Sequence, residues 1–93
     1  MKAKKLLKRL SEFLDADEKT QYREVKSTKK VLKALKQKEA SLKQELTFMG
    51  DAQEQAAVQT KLDVIYAQRK KGVGRVKQLK ELERPGDGDA KDK

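Results

Sequence analysis

The residues of this chain that are able to take part in chemistry are its serines, its carboxylates and its many lysines. The sequence contains no histidine and no cysteine, so the usual general base, imidazole metal ligand and thiolate nucleophile are missing. Ser11, Ser27 and Ser41 have no recognisable activating partner. The acid pairs within 15–17 and 81–83 fall at predicted helix ends, where capping and charge balance explain them. We therefore expect no enzymatic activity, no cofactor, no metal and no small-molecule substrate.

The lysines and arginines are clustered in three segments of the chain. The formal net charge is +9, with 24 Lys and Arg against 15 Asp and Glu. Residues 1–14 carry five basic side chains and one acidic one, whereas residues 26–38 carry six lysines and no acid. Residues 69–80 carry six basic side chains, again without an acid. Neighbouring like charges weaken a fold, so stability explains this clustering poorly.

Basic clusters of this kind are typical of proteins that bind a polyanion, which is a nucleic acid, a nucleoprotein or an acidic protein. Spaced lysines neutralise phosphates without reading base sequence, and with 4% aromatic residues we do not expect a base-stacking mode. The competing interpretation is a solvated lysine face that keeps a thin protein in solution. The candidate polyanion-binding residues are Lys26, Lys29, Lys30, Lys33, Lys36, Arg69, Lys70, Lys71, Arg75 and Lys77.

The elements that carry these side chains are predicted to be helices. Charged residues make up 42% of the 93-residue chain and apolar residues 35%, too few for a multilayered core in so small a domain. Strong helix formers dominate, and the one proline is at position 85. The sequence also lacks the continuous apolar stretch of a signal peptide or of a membrane span, which needs about 20 residues. We therefore expect an all-α cytoplasmic protein.

The pattern of residues 1–14 predicts a short amphipathic helix, because five apolar side chains fall on one helical face. These candidate docking residues are Leu6, Leu7, Leu10, Phe13 and Leu14. Three roles compete for this apolar face, namely docking onto the rest of the chain, binding to a partner and contact with a membrane surface. We rank membrane contact last because the helix is short.

Residues 15–84 predict a long antiparallel hairpin, with helices over about 16–49 and 52–83 and a turn at 50–51. Apolar positions recur at alternating steps of three and four, as in a coiled coil. Gly50 suits the left-handed position that closes a helix. Either Asp15 or Asp17 is able to cap the helix that follows, and Asp15 with Glu18 suits a capping box. The polar segment 85–93 is predicted to be a disordered tail. The seam positions are Val25, Thr28, Leu32, Leu35, Glu39, Leu42, Leu46 and Met49, followed by Val58, Leu62, Ile65, Arg69, Gly72, Val76, Leu79 and Glu83.

A turn near residue 50 aligns positions whose numbers sum to about 100, so that Gly72 meets Thr28 and the two basic runs lie side by side. Gly72 and Gly74 lie inside a predicted helix, which favours the close approach of a bulky side chain to the helix backbone, and Tyr22 or Phe13 is the expected neighbour. A hinge or a phosphate contact is the alternative interpretation of these glycines. The first helix is expected to fold back onto the open end of the hairpin and form a three-helix bundle. An interaction module that self-associates or docks through its apolar seam is the second functional hypothesis.

Overall fold

The computed structural model describes residues 3–83, and within that range the chain is helical with no strand. The helices are α1 (Ala3–Asp15), α2 (Glu18–Phe48) and α3 (Ala52–Glu83). They pack against one another, α2 and α3 as an antiparallel hairpin and α1 docked onto it. The predicted all-α three-helix arrangement is therefore confirmed. The predicted tail over 85–93 lies outside the described residues.

The junction between α1 and α2 is closed by Asp17. Its side chain accepts a hydrogen bond of 2.9 Å from the backbone N–H of Thr20, which satisfies one of the free donors in the first turn of a helix. Bonding to Thr20 lowers the pKa of Asp17 below its ordinary value. Of the two predicted caps, Asp17 is therefore confirmed. Asp15 is the last residue of α1, so the predicted capping box of Asp15 with Glu18 is wrong. Asp17 prevails because it sits directly before the first helical residue.

The link between α2 and α3 differs from the predicted glycine turn. α2 ends at Phe48, and Met49 is extended with φ −82° and ψ 133°, while Gly50 does not occupy the left-handed region. Asp51 accepts a 2.8 Å bond from the N–H of Gln53. The side chain of Gln55 reaches back to the carbonyl of Met49 at 2.6 Å. Side-chain hydrogen bonds, in place of a left-handed glycine, therefore hold the start of α3.

The register of the hairpin is displaced from the predicted one by about one helical turn. A Cβ placed on Gly72 would lie 2.7 Å from Leu32 Cδ2, whereas alignment about residue 50 pairs Gly72 with Thr28. The extended conformation of Met49 explains the difference, because an extended residue advances the chain more than twice as far as a helical one. Gly72 thus allows the predicted close approach, but Leu32 and Leu10 are its neighbours.

α1 fills the seam that the hairpin leaves open. Leu6, Leu10 and Phe13 are buried, and Leu7 and Leu14 are partly buried against the same core. Burying five large apolar side chains stabilises the fold by several kcal/mol at about 25 cal/mol per Å². The other buried apolar residues of this cluster are Val31, Leu32, Leu35, Leu42, Val58, Leu62, Ile65, Val76 and Leu79.

Gln21 joins all three helices at the open end of the hairpin. It is 2% exposed, and its amide donates to the carbonyl of Phe13 at 2.8 Å. Its side-chain oxygen accepts a 2.8 Å bond from Arg75 Nε. The Phe13 carbonyl, which also accepts a 3.2 Å bond from the N–H of Ala16, thus gains a second donor, and Gln21 fixes α1 to α3.

Candidate polyanion-binding face

The lysines of α2 and α3 meet along one side of the hairpin because of their place in the seven-residue repeat. Lys29 directly follows the buried Thr28, and Lys80 directly follows the buried Leu79. In an antiparallel helix pair, residues that directly follow these core positions flank the same side of the seam on both helices. The electrostatic interaction between Lys29 and Lys80 bears this out.

α1 covers the opposite side of the hairpin. Val31 and Lys38, which stand three positions after core residues of α2, line depressions shared with α1. Gln68 and Arg75 hold the corresponding places in α3 and line a depression together with Ser11 of α1. The side of the hairpin on which Lys29 and Lys80 lie therefore carries exposed lysines that α1 does not cover. We call it the lysine face and define it as Lys26, Lys29, Lys33, Lys36, Lys43, Lys70, Lys77 and Lys80.

Lys29 and Lys80 are close enough to perturb each other. Lys80 lowers the pKa of Lys29 below its ordinary value, first because its ammonium donates a hydrogen bond to the neutral Lys29 amine and then because the two cations repel each other. Both side chains are exposed to solvent, so the repulsion is weakened by water and salt. Their closeness nevertheless shows that basic side chains from both long helices converge at this place.

Arg69 belongs to a different kind of contact, an ion pair with Glu39. Arg69 Nε and Nη2 both donate to the Glu39 carboxylate, the latter at 3.2 Å. The Glu39 side chain is 6% exposed and that of Arg69 17%. Hydrogen bonding to Glu39 raises the pKa of Arg69 above its ordinary value. A buried bidentate pair of this type is held in one geometry, so Arg69 serves the seam and is not free to bind a ligand.

Six of the ten predicted polyanion-binding residues lie on the lysine face, and four do not. Arg75 is engaged by Gln21 and Gln78, and Lys71 lines a depression beside α1. Lys30 is exposed on the outer surface of α2, and Arg69 is paired with Glu39. The six on the face are Lys26, Lys29, Lys33, Lys36, Lys70 and Lys77.

Lys43 and Lys80 were not among the predicted residues, although both belong to the lysine face. The signal that finds them is the seam itself. Lys43 directly follows Leu42, and Lys80 directly follows Leu79. Lys43 lies outside both acid-free runs and Lys80 ends the second one, so repeat position is the property that identifies both.

Two half-exposed side chains, Tyr66 and Val73, stand among these lysines, at 50% and 44% exposure. The Tyr66 ring lies 5.6 Å from the Arg69 guanidinium carbon and 5.7 Å from Lys70 Nζ. Both distances are within the range of cation–π attraction. Tyr66 therefore helps to hold cations at this surface.

Residues 3–83 contain no group of three or more acidic side chains arranged to hold a metal ion. None of the helices in that range has the length and apolar composition needed to cross a membrane. The predicted docking residues of α1 are placed in the core, with Leu6, Leu10 and Phe13 buried. The chain matches no protein-family model, no curated protein and no solved structure.

Proposed function

We propose that this protein binds the sugar–phosphate backbone of duplex nucleic acid through the lysine face. The observation that carries the proposal is the convergence of Lys29 and Lys80 from two helices on the side that α1 leaves uncovered. Bringing like charges together opposes folding, and a bound polyanion would remove that cost. Lysines are suited to contact phosphates as point charges without selecting a sequence.

The dimensions of the face suit a duplex. Lys26 and Lys43 mark its ends on α2, and the helical rise separates them by about 25 Å. Phosphates follow one another every 3.4 Å along each strand of B-form DNA, so this length corresponds to about seven phosphates. Tyr66 already attracts Arg69 and Lys70, which favours backbone contact over base stacking.

The two other hypotheses for the apolar surfaces require α1 to leave its place. Self-association through the seam and insertion of α1 into a membrane surface both use side chains that lie in the core, among them Leu10 at 1% exposure. Undocking α1 would expose these side chains and the seam beneath them, at a cost of several kcal/mol. The lysine face, by contrast, is available in the structure as it stands.

The proposal is tested by fluorescence anisotropy with a labelled duplex of about 20 base pairs, DNA or RNA, titrated between about 50 and 300 mM salt. The logarithm of the binding constant should fall linearly with the logarithm of salt concentration. The double variant Lys29→Gln/Lys36→Gln should bind more weakly, with a salt slope smaller by about 1.8, because each lost phosphate contact contributes about 0.9.

The matched control is Lys5→Gln/Lys8→Gln, which removes the same charge from the exposed surface of α1. Its salt slope should stay close to that of the unaltered protein. If the two double variants weaken binding equally, net charge alone attracts the duplex and the face has no role. Binding that is absent at low salt, or that does not respond to salt, would reject the proposal outright.

A further inference from the structure

A second surface, on the other side of the molecule, is unlike the lysine face because it is apolar at its centre. Two open depressions of about 770 and 650 Å³ lie against α1 and α3. They share Lys4, Leu7 and Val64 and therefore form one continuous groove. Val64 is 47% exposed, and Leu7 is only partly buried, so large apolar side chains remain in contact with water at its floor.

The edges of the groove are basic. Lys5 and Lys8 stand on the α1 side, and Lys38 and Lys61 stand at the end of the groove where α2 and α3 meet. Together with Lys4 they give five lysines among the lining residues, against a single carboxylate, Glu45. An occupant should therefore combine an apolar stripe with negative charge on the flank that faces α1 and at the end beside Lys38 and Lys61.

We propose that the groove receives an acidic amphipathic helix from a partner protein. α1 and α3 run in the same direction here, since Lys4 shares a depression with Lys61 and Ser11 shares one with Gln68. A valley between two aligned helices is the seat that a further bundle helix takes. From Lys61 to Gln68 the groove is about 10 Å long, which matches two turns of a bound helix.

This length defines the recognition pattern of the partner. Large apolar residues at positions i, i+4 and i+7 would lie on Leu7 and Val64, as in other helix-in-groove complexes. Glu or Asp residues beside that stripe would face Lys5 and Lys8 on the α1 edge, and Lys38 and Lys61 at the end of the groove. The proposal is independent of nucleic-acid binding, because Val64 and the lysine face lie on opposite sides of α3.

Val64 and Val73 provide a matched pair for the experiment. Both are valines in α3, and their exposures are 47% and 44%, but Val64 faces the groove and Val73 the lysine face. The probe is a fluorescein-labelled peptide of about 16 residues, with Leu at i, i+4 and i+7 and Glu on both flanks. A scrambled peptide of the same composition serves as the reference, and circular dichroism checks that each variant remains folded.

We expect saturable binding of the patterned peptide, and the scrambled peptide should bind at least about tenfold more weakly. Val64→Asp should lower the affinity by about tenfold or more, since it puts a carboxylate on the apolar floor. Val73→Asp should change the affinity by less than about twofold. Equal losses in the two variants, or equal binding of the two peptides, would show non-specific charge attraction and overturn the proposal.

A competition arm separates this surface from nucleic-acid binding. Unlabelled duplex should leave the bound peptide in place. Displacement by the duplex, together with weaker duplex binding by Val64→Asp than by Val73→Asp, would assign the groove to nucleic acid instead.

An anionic amphiphile such as dodecanoate is the second competitor, and its failure to displace the peptide supports a helix as the occupant. Displacement by dodecanoate well below its micelle-forming concentration would assign the groove to a small amphiphile and overturn the proposal.

Discussion

The two glycines inside α3 provide a sharp test of how α1 is packed, because they are two residues apart and differ in their surroundings. A Cβ added to Gly74 would meet no atom within 4 Å. A Cβ added to Gly72 would lie 2.7 Å from Leu32 Cδ2 and 2.8 Å from Leu10 Cδ1. Both leucines are buried, at 7% and 1% exposure, so neither side chain has free space into which it can move.

The expected magnitudes follow from two opposing effects. Replacing glycine by alanine inside a helix stabilises it by about 1 kcal/mol, and Gly74→Ala should gain this amount in full. At Gly72 the same gain is opposed by overpacking, which costs about 1–3 kcal/mol, so Gly72→Ala should lower the free energy of unfolding by about 1 kcal/mol. For a domain of this size each kcal/mol shifts Tm by about 4–8 °C. The two variants should therefore differ by about 10 °C.

Urea and thermal unfolding followed by far-ultraviolet circular dichroism measure both variants. If Gly72→Ala stabilises the protein as much as Gly74→Ala does, Leu10 and Leu32 do not press on Gly72, and the docking of α1 is wrong. A background of Leu10→Ala makes the test stricter, because it removes one of the two side-chain ends that the new methyl group meets and leaves space into which Leu32 can move. In that background Gly72→Ala should become neutral or stabilising.

Three further variants test other contacts. Glu39→Leu should lower the free energy of unfolding by about 3 kcal/mol, because it leaves Arg69 without its partner. Adding Arg69→Leu should recover most of this loss. Denaturant melts that show no recovery would contradict the role given to this pair. Gln21→Leu should lower the free energy of unfolding by about 1–3 kcal/mol, since it removes the hydrogen bonds that join the three helices. An unchanged melting temperature would contradict this role of Gln21. Lys80→Gln should raise the pKa of Lys29 toward its ordinary value, and an NMR titration of the lysine side chain that finds no rise would refute their contact.

Periodicity was enough to predict the three helices and the docking of α1. Apolar side chains at helical spacing define both faces of the hairpin seam, and Leu6, Leu10 and Phe13 define the face of α1. Removal from water is the main force that drives such residues together, so their pattern specifies which surfaces meet. The same pattern left the register open, because a coiled-coil seam matches itself after a shift. The backbone of Met49 and the side-chain bonds of Asp51 and Gln55 set the start of α3.

Polar contacts across the seam were the part that periodicity could not supply. Arg69 and Glu39 were predicted as two separate charged positions of the seam. They form one pair in the displaced register. Gly74 was expected to permit a close approach, but open space surrounds it. For the ion pair the deciding quantity is the axial position of one helix against the other, which single-helix patterns do not contain. Gly74 lies two residues, or about 200° around the helix, from the seam position of Gly72 and therefore faces outward.

The most direct measurement of the central claim is an NMR map of the duplex-binding surface on the isotope-labelled protein. Titrating with a duplex of about 20 base pairs at low salt should shift the amide signals of Lys29, Lys36, Val73 and Lys80 on the lysine face. Those of Leu7 and Val64 across the molecule should move little. Shifts centred on Leu7 and Val64, or spread evenly over all three helices, would contradict the claim that the uncovered lysine face is the binding surface.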